Sequence, residues 1–156
     1  MNKYMSIANE KAKMNLITND GGPFGAVIVK DGEIVGEGSN QVLASHDPTA
    51  HAEVMAIRDA TNKLHTHDLS GCELYTSCYP CPMCLSAIIW ANIKTVYYGN
   101  TKEDAEAIGF RDDFIYDFIN KLPEGDDNVL SLTQMDRVDT VKTFIDYSNK
   151  DDKEIY

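Results

Sequence analysis

Several things are missing from this 156-residue chain, and each absence excludes a class of protein. No apolar run reaches the ~18 residues that a membrane-spanning helix needs. The first residues, Met1 to Asn19, carry polar residues throughout their length and hold no apolar segment of a secretory leader. The expected location is therefore the cytoplasm. Basic residues are few: 14 Lys and Arg stand against 25 Asp and Glu, a formal net charge of −11, and no basic cluster is visible. Nucleic-acid affinity comes largely from cations that neutralise phosphates, so this charge disfavours a nucleic-acid partner and favours a small uncharged substrate. No Pro/Gly/Ser-rich linker and no internal repeat divides the chain. Its length suits one domain over residues 1–156.

What is present is close to the globular average, with 43% hydrophobic and 25% charged residues. The pattern predicts a helix over residues 2–18 and a short buried strand at Phe24 to Val29. A hairpin turn at Lys30-Asp31-Gly32-Glu33 and a return strand at Ile34 to Gly38 follow. Asp47-Pro48 reads as the opening of a second helix, Asp as cap and Pro at the first position. A strand at Glu73 to Ser77, a helix from Pro82 to Trp90 and a strand at Thr95 to Gly99 come next. The tail reads as helical near Lys102 to Ala107, Phe114 to Lys121 and Arg137 to Asn149, with a possible strand at Leu130 to Thr133. Strands separated by helices pair in parallel, and the opening hairpin makes the sheet mixed. The expectation is an α/β fold of three layers, α/β/α, around a central mixed sheet of about five strands.

The four cysteines, Cys72, Cys78, Cys81 and Cys84, crowd into thirteen residues. A disulfide framework spreads its cysteines, so this grouping points to metal or redox chemistry. Cys81 and Cys84 are spaced i, i+3 at a helix start, and His51 and Glu53 share another helix start. A catalytic zinc takes three protein ligands and keeps one position open for water, whose pKa it lowers toward neutrality. His51, Cys81 and Cys84 supply three ligands of the soft N/S type that zinc favours. The expected cofactor is one Zn2+ per chain. Glu53, two residues from His51, is read as the proton carrier rather than a ligand. Taken alone, the Cys pair also fits a redox pair or half of a structural zinc site, with Cys72 or Cys78 as a further ligand. Their place at the ends of a strand suits small hydrophobes better. His46, His65 and His67 lie in polar loops and read as solvated.

The words His51-Ala52-Glu53 and Pro80-Cys81-Pro82-Met83-Cys84 match the signature of zinc-dependent deaminases. With Asn40, Asp47-Pro48-Thr49-Ala50 and Leu74-Tyr75-Thr76-Ser77, the chain resembles the cytidine and deoxycytidylate deaminase superfamily. Within it the resemblance is closest to bacterial guanine deaminases. Gly21 to Val29, Trp90, Gly109 to Tyr116 and the ending Lys153-Glu154-Ile155-Tyr156 carry that part. The resemblance implies a cytidine-deaminase-like fold and hydrolysis of guanine, a purine base, by water to xanthine and ammonia. Guanosine, cytosine or a tRNA adenosine are the alternative substrates.

It implies further roles position by position. Phe24 stacks on the base, Asn40 and the Ala52 N–H bond its polar atoms, and Trp90 walls the pocket. Asp112 bonds the base and helps to move protons, and Tyr156 closes the pocket. It also implies a homodimer in which a helical tail, about residues 137–156, can cross to the partner subunit. On ordinary grounds Phe24 and Trp90 would be core, Asp112 a helix cap and Tyr156 a frayed end. Tyr79 departs from the pattern, since related deaminases usually carry Glu before this proline.

Overall fold

A computed structural model describes all of residues 1–156. The chain divides into two compact units, residues 1–115 and 116–156.

The first unit is built on a four-stranded sheet in the order β2-β1-β3-β4. Its strands are β1 (Gly25–Lys30), β2 (Glu33–Ser39), β3 (Glu73–Cys78) and β4 (Thr95–Asn100). β1 runs antiparallel to both neighbours, pairing Ala26 with Gly38 and with Thr76. β3 and β4 are parallel, with the helix α4 (Pro82–Trp90) as the crossover. The sheet is mixed, as the sequence pattern requires. The β1–β2 turn is made by Asp31 and Gly32, both at positive φ (51° and 81°), the geometry of a tight primed hairpin turn.

Side chains on a strand alternate between faces, and here each face has its own cover. Ala26 and Ile28 pack with Leu74, Ile88 and the alanines of α3 (Ala52–Leu64). Val27 and Val29 pack with Tyr75 and with Ala8 of α1 (Lys3–Thr18). β1 is therefore buried on both sides, which explains its unbroken apolar run. On β2, Gly36 and Gly38 face α3 at very short range. A Cβ on Gly36 would lie 2.5 Å from the Ala56 carbonyl, and one on Gly38 would collide with the Ala52 carbonyl. These glycines, with Ala52, Ala56 and Ala60 opposite, let α3 settle directly onto the sheet.

One expectation needs correction in this unit. Asp47-Pro48 does not open a helix. Asp47 Oδ1 accepts from the Thr49 N–H (2.8 Å) and hydroxyl (2.7 Å), closing a local turn, and α3 starts only at Ala52. A one-turn helix, α2 (Val42–Ser45), precedes that turn and carries no periodic signal long enough to reveal it. His46 and His65 end α2 and α3 in the left-handed conformation, exposed as expected for loop histidines.

The chain continues through α5 (Lys102–Ala107), α6 (Asp113–Asn120) and α7 (Arg137–Ser148). α5 is closed by a capping box between Thr101 and Asp104. The anticipated strand at Leu130 to Thr133 is absent, so the sheet has four strands rather than about five. Only an isolated bridge between Asp126 and Leu130 forms there. The acidic turn before it folds on itself instead, Asp126 Oδ1 accepting from the Asn128 N–H at 3.0 Å. No helix is long and apolar enough to cross a membrane.

A candidate metal site beside a buried carboxylate

Two helix N-termini meet at the site. His51 is the N-cap of α3 and Cys81 the N-cap of α4, both with extended backbones (φ −70°, ψ 156° and φ −67°, ψ 168°). Neither side chain caps its own helix, so both are free to point elsewhere. Pro82, with its preset φ, starts α4 directly after Cys81. Cys84 follows in the first turn, fully buried, and Glu53 occupies the first turn of α3, also buried.

His51 Nδ1 lies 3.5 Å from Cys81 Sγ and 3.6 Å from Cys84 Sγ, and the three donor atoms all fall within 4.8 Å of one another. Tetrahedral zinc, with bonds of about 2.3 Å to sulfur and 2.0–2.1 Å to nitrogen, sets each N···S edge at roughly 3.5 Å. The cluster thus has the spacing and the donor types of a zinc site. Cys78 stands apart from it. Its Sγ approaches the Thr101 carbonyl at 3.6 Å, and burial, with the negative charge of Glu53, raises its pKa to about 11. Cys72 is a buried core residue.

The two sulfurs are pushed in opposite directions. Cys84 and His51 both face Cys81. Together they outweigh burial and bring Cys81 down to about 4. Cys84 is pushed upward, first by Cys81 and then by burial. His51 is pushed upward, first by its hydrogen bond to Cys81. An imidazole beside a thiol favours the thiolate form that binds a metal cation.

Glu53 completes the arrangement. Its Oε1 accepts from the Thr76 hydroxyl at 3.0 Å, and its Oε2 from Cys84 Sγ at 3.4 Å. Burial pushes its carboxyl above the ordinary range, against hydrogen bonds from its own N–H, Thr76 and Cys84. A carboxyl poised upward beside a ligand cluster is suited to carry protons at neutral pH.

The other sequence-derived residues are distributed less evenly. Ala52 is buried at the first helical position of α3, where the N–H has no intrahelical partner. Phe24 packs against the core and meets Phe110 edge-on, ring centroids 5.0 Å apart. The Asn40 N–H donates to the Phe24 carbonyl at 3.0 Å, which ties the two backbones together. Asn40 Oδ1 accepts from the Val42 N–H at 3.1 Å, which leaves the amide nitrogen as the donor on offer. Asp112 is half-buried, and burial, then the charge of Cys81, raises its carboxyl against the pull of Lys102. Trp90, at the end of α4, is 69% exposed. Tyr156 is exposed at the end of the second unit. Tyr79 sets its ring against Tyr98 (5.0 Å, edge-on), with the Lys102 ammonium 5.6 Å from its centre.

Two supporting residues escaped the sequence reading. Asn15, buried in α1, donates from Nδ2 to both the Gly22 and Asn40 carbonyls at 2.8 Å. Thr76, buried in β3, bonds Glu53. An asparagine on the inward face of an apolar stripe was the available signal for the first. Nothing in the sequence pairs Thr76 with Glu53.

Comparison with known proteins agrees with this geometry. Residues 1–100 match the cytidine and deoxycytidylate deaminase zinc-binding region. The chain belongs to that family. It is 60% identical over 104 residues to a guanine deaminase of Bacillus subtilis, a stretch that is 67% of each chain. The crystal structure of guanine deaminase from Bacillus subtilis superimposes with a TM-score of 0.93 and 45% identity, covering 100% of this chain and 99% of that one. A tRNA-specific adenosine deaminase of Aquifex aeolicus is 47% identical over 76 residues, 49% of this chain and 50% of that relative.

Proposed function

We propose that this chain hydrolyses guanine to xanthine and ammonia, with His51, Cys81 and Cys84 holding one zinc ion. When bound, zinc supplies a Lewis acid that makes water nucleophilic near neutral pH. Every other task falls to the chain. Glu53 accepts a proton from the attacking water and passes it to a ring nitrogen, then takes the proton of the newly added hydroxyl and delivers it to the leaving amine, which departs as ammonia. Phe24 stacks on the purine face. The Asn40 amide nitrogen and the Ala52 N–H donate to acceptor atoms of the base. Asp112 bonds the base and assists proton movement. Trp90 and Tyr156 wall and close the pocket.

The observation that carries guanine as the substrate is the full-length match, tail included, to a guanine deaminase structure. The tRNA adenosine reading draws on the Aquifex aeolicus relative, but that match spans half of either chain. A net charge of −11 opposes binding to an RNA backbone. Ammonia release by the zinc-loaded protein is to be measured with guanine, guanosine, adenine, cytosine, cytidine and an anticodon stem-loop. Guanine is expected to turn over fastest. Release from the stem-loop alone overturns the assignment.

The proposed working form is a cytoplasmic homodimer whose tails, from about residue 137, reach the partner subunit. Support comes from the second unit itself, where Leu132, Val138, Phe144, Ile145 and Ile155 are all exposed. Apolar side chains in such number are usually covered by another surface.

A further inference from the structure

A buried threonine hydroxyl rarely lies idle, because a polar group out of water costs stability unless it is bonded. Thr76 is 1% exposed, and its side-chain partner is the carboxylate of Glu53, twenty-three residues away in sequence and 3.0 Å in space. The strand pattern accounts for its direction. Leu74 of β3 packs into the core with α3, so Thr76, two residues on, faces the same helix. Across the ladder stands Ala26, a small residue. Gly38, the other partner of Ala26, lets the first turn of α3 descend to this level.

The contact is selective. Thr76 takes Oε1, while Oε2 is the oxygen 3.4 Å from Cys84 Sγ, on the side of the ligand cluster. A carboxylate on a two-bond stem can rotate, and either oxygen could otherwise face the ligands. We propose that Thr76 is the positioning residue for Glu53: its hydroxyl anchors one carboxylate oxygen to the sheet and so presents the other to the metal site. This rests on the reading of Glu53 as proton carrier. The anchor acts on the geometry of proton transfer and not on the base, so its loss falls on kcat rather than KM. Misplacement of a reacting group by about 1 Å can cost on the order of a hundredfold in rate.

The test compares Thr76→Val, which keeps the shape and removes the hydroxyl, with Thr76→Ser, which keeps the hydroxyl. Both are measured in the zinc-loaded full chain with guanine, alongside Glu53→Gln. Thr76→Val is expected to bind zinc as the parent does, by chelator competition, and to keep its KM within about threefold. Its kcat falls about tenfold or more. Thr76→Ser recovers most of that loss. A crystal structure of Thr76→Val should show the Glu53 carboxylate rotated out of its present orientation. Equal kcat for the Val and Ser variants overturns the proposal, as does an unmoved Glu53 or a change confined to KM. If Thr76→Val does not fold, Thr76→Ala carries the same comparison. Failure of the underlying reading is separate: it appears as undiminished turnover in Glu53→Gln, whatever Thr76 does.

Discussion

Residues 1–115 and residues 116–156 put their apolar side chains to opposite uses. In the first unit Val27, Ile28, Leu69 and Leu74 are at most 1% exposed, and β1 is covered on both faces. In the second only Phe118 is buried, and α7 has no buried residue. A segment of 41 residues is at the lower limit of size at which a chain sustains a core of its own. The first unit carries the ligand cluster on a rigid scaffold. The second has hydrophobic surface to spend on association, which is the physical content of the proposed dimer.

That contrast can be tested by placing one insult in each place. The largest effect is expected from Gly38→Val. The new side chain would collide with the Ala52 carbonyl and lie within 2.6 Å of the Ala56 nitrogen, at the turn that carries Glu53. Overpacking of this kind costs about 3 kcal/mol. Denaturant unfolding should show it, and zinc affinity should weaken with it. A variant of unaltered stability would mean that α3 is not locked to the sheet.

Asp59→Ala is expected to cost less, about 1 kcal/mol at neutral pH, for loss of two charge-assisted bonds discounted for solvent. Its Oδ2 accepts from the Glu37 N–H (2.9 Å) and from Lys63 Nζ (2.7 Å). Partial burial raises the Asp59 carboxyl, but Lys63, the Glu37 amide and Lys11 outweigh it and leave its pKa below 3.8. A depressed carboxyl stabilises the fold above its unfolded pKa and loses that contribution as pH falls through the folded one. The difference between parent and Asp59→Ala should therefore shrink below pH 3.8. A difference constant from pH 7 to pH 3 contradicts it.

The smallest change in folding stability is expected in the tail. Phe144 is 77% exposed, so Phe144→Asp should leave folding stability of the dilute chain within about 0.5 kcal/mol. Sedimentation should instead show weaker self-association. Destabilisation of the monomer with unchanged association would reverse the roles given to the two units.

The sequence was legible where local chemistry decides structure. The β1–β2 hairpin, the Pro82 start of α4 and the crossing from β3 to β4 each follow from turn residues and periodicity within a few positions. The donors His51, Cys81 and Cys84 were readable because metal coordination demands particular residue types at particular spacings. The rest depended on distant groups. Asp47-Pro48 satisfies a helix-start pattern, yet Thr49 captures the aspartate and moves the start to Ala52. Leu130 to Thr133 has strand composition but no sheet partner in this chain. Asn15 and Thr76 act across 25 and 23 residues respectively, and no local pattern encodes such pairs.

The claim under most strain is that a buried carboxylate works beside the three-donor cluster without binding the metal itself. Replacing Glu53 by Gln and measuring zinc content and ammonia release from guanine addresses both halves at once. Zinc should remain at one per chain, while release falls on the order of a thousandfold. Zinc lost along with the carboxylate, or release within tenfold of the parent, would contradict the account.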